Sequence, residues 1–209
     1  MYLLYPGLSR VASYNIDYPR NRTIDNRDTA VAYEVELKIR VGCDVLDELR
    51  KRIVGKGGVF QVSREETDYY FVHPCRDFLE SDEALRARFV DGKIESLTYK
   101  GPRLKRDLKT RYEIVVKISS GDIIELLNRL GFKVGVVVVK KRDYYKYNDV
   151  LVTLDVVKDL GCFVELELLG DSEDLLDSIV EELGIEGKVV KESYAELLMN
   201  KKIGSLDRF

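Results

Sequence analysis

The chain has 209 residues, 45% of them hydrophobic and 34% charged, with a formal net charge of −3. That length supports one domain with a sizeable core, and near-balanced charge argues against a protein that coats nucleic acid. No apolar run approaches the ~20 residues of a membrane span, so neither a nucleic-acid nor a membrane partner is expected.

Residues 1–31 are rich in Tyr, Arg, Asn and Asp without periodicity, and read as a tail with no assigned function. From Tyr33 to Val41 the chain alternates strictly, which predicts a β-strand. Val35, Leu37, Ile39 and Val41 share one face; Glu34, Glu36, Lys38 and Arg40 share the other. A helix follows from Asp44, its expected cap, to Val54, and the glycines at 55, 57 and 58 end it. Val59–Arg64 and Thr67–Val72 read as separate extended segments. Ala84–Val90 and Lys93–Lys100 form a hairpin about Asp91-Gly92, and Gly101-Pro102 stops the second strand. Arg111–Ile118 is a strand. It leads, through a cap at Ser119 or Ser120, to a helix with Ile123, Ile124, Leu127 and Leu130 along one stripe. Strands follow at Lys133–Lys146, Val150–Val157 and Phe163–Leu169, and a helix at about Ser172–Leu183. A last helix, Tyr194–Met199, is expected on the outside of the sheet.

Charged residues recur at i, i+2 along several strands: Arg86 and Arg88; Lys109, Arg111 and Glu113; Lys140 and Arg142; Glu165 and Glu167. If those faces converge they make a wet, charged cavity, because unpaired buried charge is very unfavourable. Alternating strands with short connections predict an α+β, β-dominated fold: an antiparallel closed barrel of about eight strands, with helices packed outside. A cavity carrying both signs calls for a polyanion and a divalent cation. The cysteines at 43, 75 and 162 form no CxxC pair. They read as small buried residues in a reducing cytoplasm, and a lone His73 leaves zinc without a His site. Absent Trp, a single Gln and abundant Lys and Glu lean towards a thermophile.

The motifs then resemble one family. Glu34, Glu36 and Lys38 match ExExK, and Thr67-Asp68-Tyr69-Tyr70-Phe71 resembles a DxYF-like strand. Leu85-Arg86-Ala87-Arg88 resembles LRxR, and Thr98-Tyr99-Lys100-Gly101-Pro102 resembles TYKGP. Lys109-Thr110-Arg111-Tyr112-Glu113 resembles KxRxE, and Lys140 with Arg142 resembles KxR. Leu154-Asp155 and Leu160 to Glu167 resemble an LD and LGxFxExE end. In this order the chain resembles the CYTH superfamily, or triphosphate tunnel metalloenzymes, and within it the class IV adenylyl cyclase branch, from residue 32 onward. One departure is Val115, where the family often carries a further acid.

The resemblance implies a cytoplasmic enzyme that takes a triphosphate-containing small molecule, inorganic triphosphate or ATP, with Mg²⁺ or Mn²⁺. A homodimer is allowed for. Metal ligands would come from Glu34, Glu36, Glu113, Asp155, Glu165 and Glu167. Phosphate contacts would come from Lys38, Arg86, Arg88, Lys100, Lys109, Arg111, Lys140 and Arg142, with Lys38 and Glu36 the catalytic candidates. The sequence offers no base-reading motif, so hydrolysis of inorganic triphosphate is expected ahead of cyclisation of ATP to cyclic AMP and pyrophosphate. A non-catalytic polyphosphate-binding module is the third reading.

Overall fold

The computed structural model describes residues 29–103, 111–169 and 174–206, with side chains from Val35 onward except at 174 and 202–206. Among the described residues ten strands run as β1 (Thr29–Glu34), β2 (Glu36–Val41), β3 (Val59–Val72), β4 (Ala84–Val90), β5 (Lys93–Arg103), β6 (Arg111–Lys117), β7 (Lys133–Tyr147), β8 (Val150–Val157), β9 (Gly161–Leu168) and β10 (Lys188–Val189). The helices are α1 (Leu46–Gly55), α2 (Ile123–Arg129), α3 (Asp174–Leu183) and α4 (Tyr194–Leu206). No helix among the described residues is long and apolar enough to cross a membrane.

The strands form one ten-stranded sheet, in the order β1-β6-β5-β4-β3-β7-β8-β9-β2-β10, and every pairing is antiparallel. This corrects the expected closed barrel of about eight strands. The predicted strand Tyr33–Val41 is divided at Val35: β1 pairs with β6, and β2 pairs with β9. The other edge of β2 is taken by β10, with Lys188 opposite Arg40. The ladder therefore has two ends and does not close. The sheet still bends strongly. Glu34 and Glu36 are at most about 7 Å apart along the chain, yet their partners, Arg111 and Glu167, lie near opposite ends of the strand order.

The expected hairpin at Asp91-Gly92 forms, with positive φ at both residues (49° and 77°), as a tight primed turn requires. The two segments read between Val59 and Val72 are one 14-residue strand, kinked where its register with β7 shifts. β5 continues through Gly101-Pro102 to Arg103. Asp122, not Ser119 or Ser120, caps α2, its side chain accepting from the Glu125 N–H at 2.9 Å. Asp44 lies in a single 3-10 turn ahead of α1 and makes no cap.

The period-two pattern sorts the sheet into two faces. On the outer face, Leu37, Ile39 and Val41 of β2 pack with Val164 and Leu166 of β9 beneath α1 and α3, through Leu49, Ile53, Leu176 and Ile179. Further round, Phe71 and Ala87 pack beneath Ile123 and Leu127 of α2. The last helix departs from expectation. α4 lies on the inner face, where Tyr194, Ala195 and Leu198 cover Val136, Val138, Val157 and Phe163. Inward apolar residues on β7 and β8 give it a seat there.

The cysteines also differ from the reduced reading. Cys43 and Cys162 form a disulfide with Cα atoms 5.1 Å apart. Register explains it: Cys162 lies opposite Val41, two residues before Cys43. Cys75 is free and exposed.

Candidate functional site

The residues opposite the outer core converge on the inner face. Cross-strand register places Lys38 opposite Glu165, and Glu165 opposite Thr153. It places Arg142 opposite Asp155, Lys140 opposite Glu66, and Asp68 opposite Arg88. Residues directly opposed on one face have Cβ atoms about 5 Å apart, so strand pairing alone assembles cations and carboxylates into contact.

Two buried clusters result. In the first, Lys38 Nζ lies 3.0 Å from Glu165 Oε1. Arg142 donates from Nε to Asp155 Oδ1 at 2.6 Å and pairs with Glu165 as well. Tyr194 of α4 donates its hydroxyl to Asp155 Oδ2 at 2.7 Å, and its ring centroid lies 3.9 Å from the Lys38 ammonium. In the second, Asp68 accepts two hydrogen bonds from Arg88, at 2.7 and 2.8 Å, and one from Lys140 at 2.7 Å. Glu66 lies 3.2 Å from Arg88 and 3.0 Å from Lys140, and accepts from the Tyr144 hydroxyl. Arg86 reaches Thr98 Oγ1 at 3.3 Å, and its buried Nε has no hydrogen-bond partner among the described residues. Lys100 pairs with Glu113. At the β5 end, Asp82 takes Arg103 at 2.7 Å and Arg111 at 3.3 Å, and Arg103 also holds Glu196 of α4 at 2.6 Å.

The structure thus gathers Lys38, Arg86, Arg88, Lys140, Arg142, Asp155 and Glu165 at one inner face. Glu36 and Glu167 are opposed on its β2–β9 edge. Lys100, Glu113 and Arg111 lie further round on β5 and β6. Lys109 lies outside the described residues, and Glu34 is placed by its backbone alone, opposite Arg111. Val115 sits opposite Thr98, so an apolar residue stands two places beyond Glu113 on β6. Neither Glu66 nor Asp68 is among the site residues expected from sequence. The signal was present: Glu66 and Asp68 show the same i, i+2 spacing as the other pairs. Tyr194 carries no such signal, because its role depends on which side of the sheet α4 takes.

Burial dominates the electrostatics, and the opposite charges set its outcome. Burial pushes the Asp68 carboxyl up, but Arg88, Lys140 and Arg86 together outweigh it and hold it well below its ordinary 3.8. Glu66 is likewise pushed up by burial and pulled further down, below its ordinary 4.5, by Arg88, Lys140 and Arg142. Asp155 is the exception: burial raises it, and Glu165 adds to the rise against the pull of Arg142. A carboxyl whose folded pKa is depressed contributes stability that is complete above its unfolded pKa and lost as pH falls towards the folded one. The melting temperature is therefore expected to drop as pH falls below about 4.5, through the ordinary range of Glu66 and Asp68. Asp155 works in the opposite sense. A double E66Q/D68N variant should flatten the acid limb of a melting-temperature profile; an equally steep limb would assign acid loss to other groups.

The donor chemistry suits a hard divalent cation, which prefers carboxylate oxygens. Glu36 and Glu167 are directly opposed like charges, an arrangement that is unfavourable unless a cation lies nearby. Glu165 follows two residues before Glu167 on the same face. Among the described residues no three Asp, Glu, His or Cys side chains are gathered closely enough to hold a metal. Asp155 is engaged by Arg142 and Tyr194, and Glu113 by Lys100. Glu165 is engaged in the same way, by Lys38 and Arg142.

Strand register thus interleaves cations and carboxylates on the inner face of a bent antiparallel sheet. The chain belongs to the CYTH family: the CYTH domain matches residues 32–194. That is an enzyme family, and it places catalysis at the level of triphosphate chemistry. A Methanocaldococcus jannaschii protein named "Putative adenylate cyclase MJ0240" is 34% identical over 172 residues, covering 78% of this chain and 98% of that protein. The PH1819 protein of Pyrococcus horikoshii OT3 superposes with a TM-score of 0.70 at 42% identity, over 81% of this chain and 99% of its own. The PH1012 protein of the same organism gives 0.66 at 31% identity, over 78% and 98%.

Proposed function

We propose that the inner face binds the triphosphate of a nucleotide together with Mg²⁺ or Mn²⁺, and that the protein is an adenylyl cyclase. The observation that carries the reading is the convergence of Lys38, Arg86, Arg88, Lys140 and Arg142 from β2, β4 and β7 onto one face. At an effective dielectric of ~20, each close cation–phosphate pair supplies roughly 4 kcal/mol before desolvation. The forked donors of Arg88 and Arg142 suit two oxygens of one phosphate. The relative named "Putative adenylate cyclase MJ0240" matches over nearly its whole length, which favours cyclisation over the hydrolysis expected from sequence.

In cyclisation the ribose 3′-hydroxyl attacks the α-phosphorus. A 3′-O–P bond forms, the bond to the β-phosphate breaks, and pyrophosphate leaves. Lys38 and the arginines bind and orient the phosphates and offset charge developing on the leaving group. Glu36, on the β2 edge, is the candidate for the hydroxyl proton. A divalent cation, held by one or two carboxylates among Glu36, Glu165 and Glu167 together with the substrate's phosphate oxygens, would neutralise phosphate charge.

Hydrolysis of inorganic triphosphate is the second reading. One observation favours it: α4 fills the apolar part of the inner face, and an attacking water needs no nucleoside pocket. One assay separates the readings. ATP and inorganic triphosphate are supplied with Mg²⁺ or Mn²⁺, and cyclic AMP, pyrophosphate and phosphate are resolved. Cyclic AMP from ATP is expected at a higher kcat/KM than phosphate from triphosphate. The reverse order would establish a triphosphatase, and tight binding without product a binding module.

A further inference from the structure

Glu66 and Asp68 lie on β3, the strand between those that supply Arg88 and Lys140. Each is 1% exposed. Asp68 grips Arg88 with both oxygens, at 2.7 and 2.8 Å, and holds Lys140 at 2.7 Å. Arg86 Nη1 is 3.9 Å away. Glu66 holds the same Arg88 and Lys140 at 3.2 and 3.0 Å. A carboxylate on an arginine fork takes the geometry of a phosphate edge. The two acids therefore occupy the cations in the manner a phosphate would, and each also fixes where a cation from a neighbouring strand can point.

We propose that Asp68 and Glu66 are positioning residues that act as internal counter-anions. They aim Arg88, Lys140 and Arg86, and by partly neutralising them they weaken the hold on a bare polyanion. The face consequently favours a triphosphate that arrives with its divalent cation. This rests on the reading of the inner face as a triphosphate site. Acids with a purely structural role would make a different prediction: their loss would lower stability and binding together. Counter-anions predict opposite signs, because neutralising Asp68 leaves its cations with uncompensated charge while releasing their aim.

Asp68→Asn keeps the shape and removes the charge. Inorganic tripolyphosphate binding is measured by calorimetry without divalent cation and with Mg²⁺, beside circular dichroism and steady-state turnover. Without divalent cation D68N is expected to bind at least about tenfold tighter than wild type. With Mg²⁺ that gain should shrink, and kcat should fall about a hundredfold through lost alignment. Glu66→Gln, which leaves Asp68 on both cations, should show the same signs at smaller size, and decides the matter if D68N does not fold. Wild type that binds tripolyphosphate while the folded variants bind it equally or more weakly without metal overturns this proposal alone. Wild type that binds none, with or without Mg²⁺, overturns the triphosphate reading and this proposal with it.

Discussion

Glu165→Gln is expected to lower turnover of the triphosphate substrate by about a thousandfold or more while the protein stays folded. Glu165 stands on β9 opposite Lys38, 3.0 Å from its ammonium, and shares Arg142 with Asp155. The amide keeps the size of the side chain and removes its charge. Lys38 then loses the carboxylate that holds it, and the β2–β9 edge loses one of the acids that fit a divalent cation. Charge stabilisation of this kind contributes several kcal/mol to a transition state, and about 4 kcal/mol corresponds to a thousandfold in rate. Arg142 keeps its pair with Asp155, and Lys38 keeps the Glu192 carbonyl at 3.4 Å and the face of the Tyr194 ring. Turnover of ATP and inorganic triphosphate, Mg²⁺ affinity and a thermal melt together check the result. Folded E165Q protein with wild-type turnover and Mg²⁺ affinity would mean that Glu165 is an ordinary partner of Lys38.

The site was legible in the sequence wherever one strand carried the whole signal. On β2, Glu36 and Lys38 alternate with Leu37 and Ile39, and the fold keeps these as inner and outer faces. Closure of the sheet was not legible. Alternation is identical in an open sheet and a barrel, and only the strand order, which ends at β1 and β10, tells them apart. The side of the sheet taken by α4 is not legible for a related reason. A helix reports which of its residues are apolar but not which side of a sheet receives them, and here Val136, Val138 and Phe163 make part of the inner face apolar. The Asp68 hub was hidden by register: its tie to Lys140 spans 72 residues of chain. The Cys43–Cys162 bridge leaves no mark in the sequence, because it depends on the β2–β9 register, which no spacing rule reveals.

Reduction of that disulfide is expected to lower stability by about 4 to 5 kcal/mol. The bridge joins positions 119 residues apart, and closing a loop of roughly 100 residues removes about 4.7 kcal/mol of entropy from the unfolded chain. For a domain of this size 1 kcal/mol moves the melting temperature by about 2 to 4 °C, so a shift of about 10 to 20 °C is expected. The β2–β9 register is also held by Leu37, Ile39 and Val41 packing with Val164 and Leu166 in the outer core, so the reduced protein is expected to fold to the same sheet and melt earlier. Cys43→Ser should reproduce the reduced behaviour and be insensitive to reductant. The composition also makes a persistent disulfide reasonable, because thermophile-like chains are the exception to the rule that intracellular cysteines stay reduced. Thiol titration of the unfolded, unreduced protein should find Cys75 alone reactive. Three reactive thiols there, or equal melting temperatures with and without reductant, would remove the bridge from the account of stability.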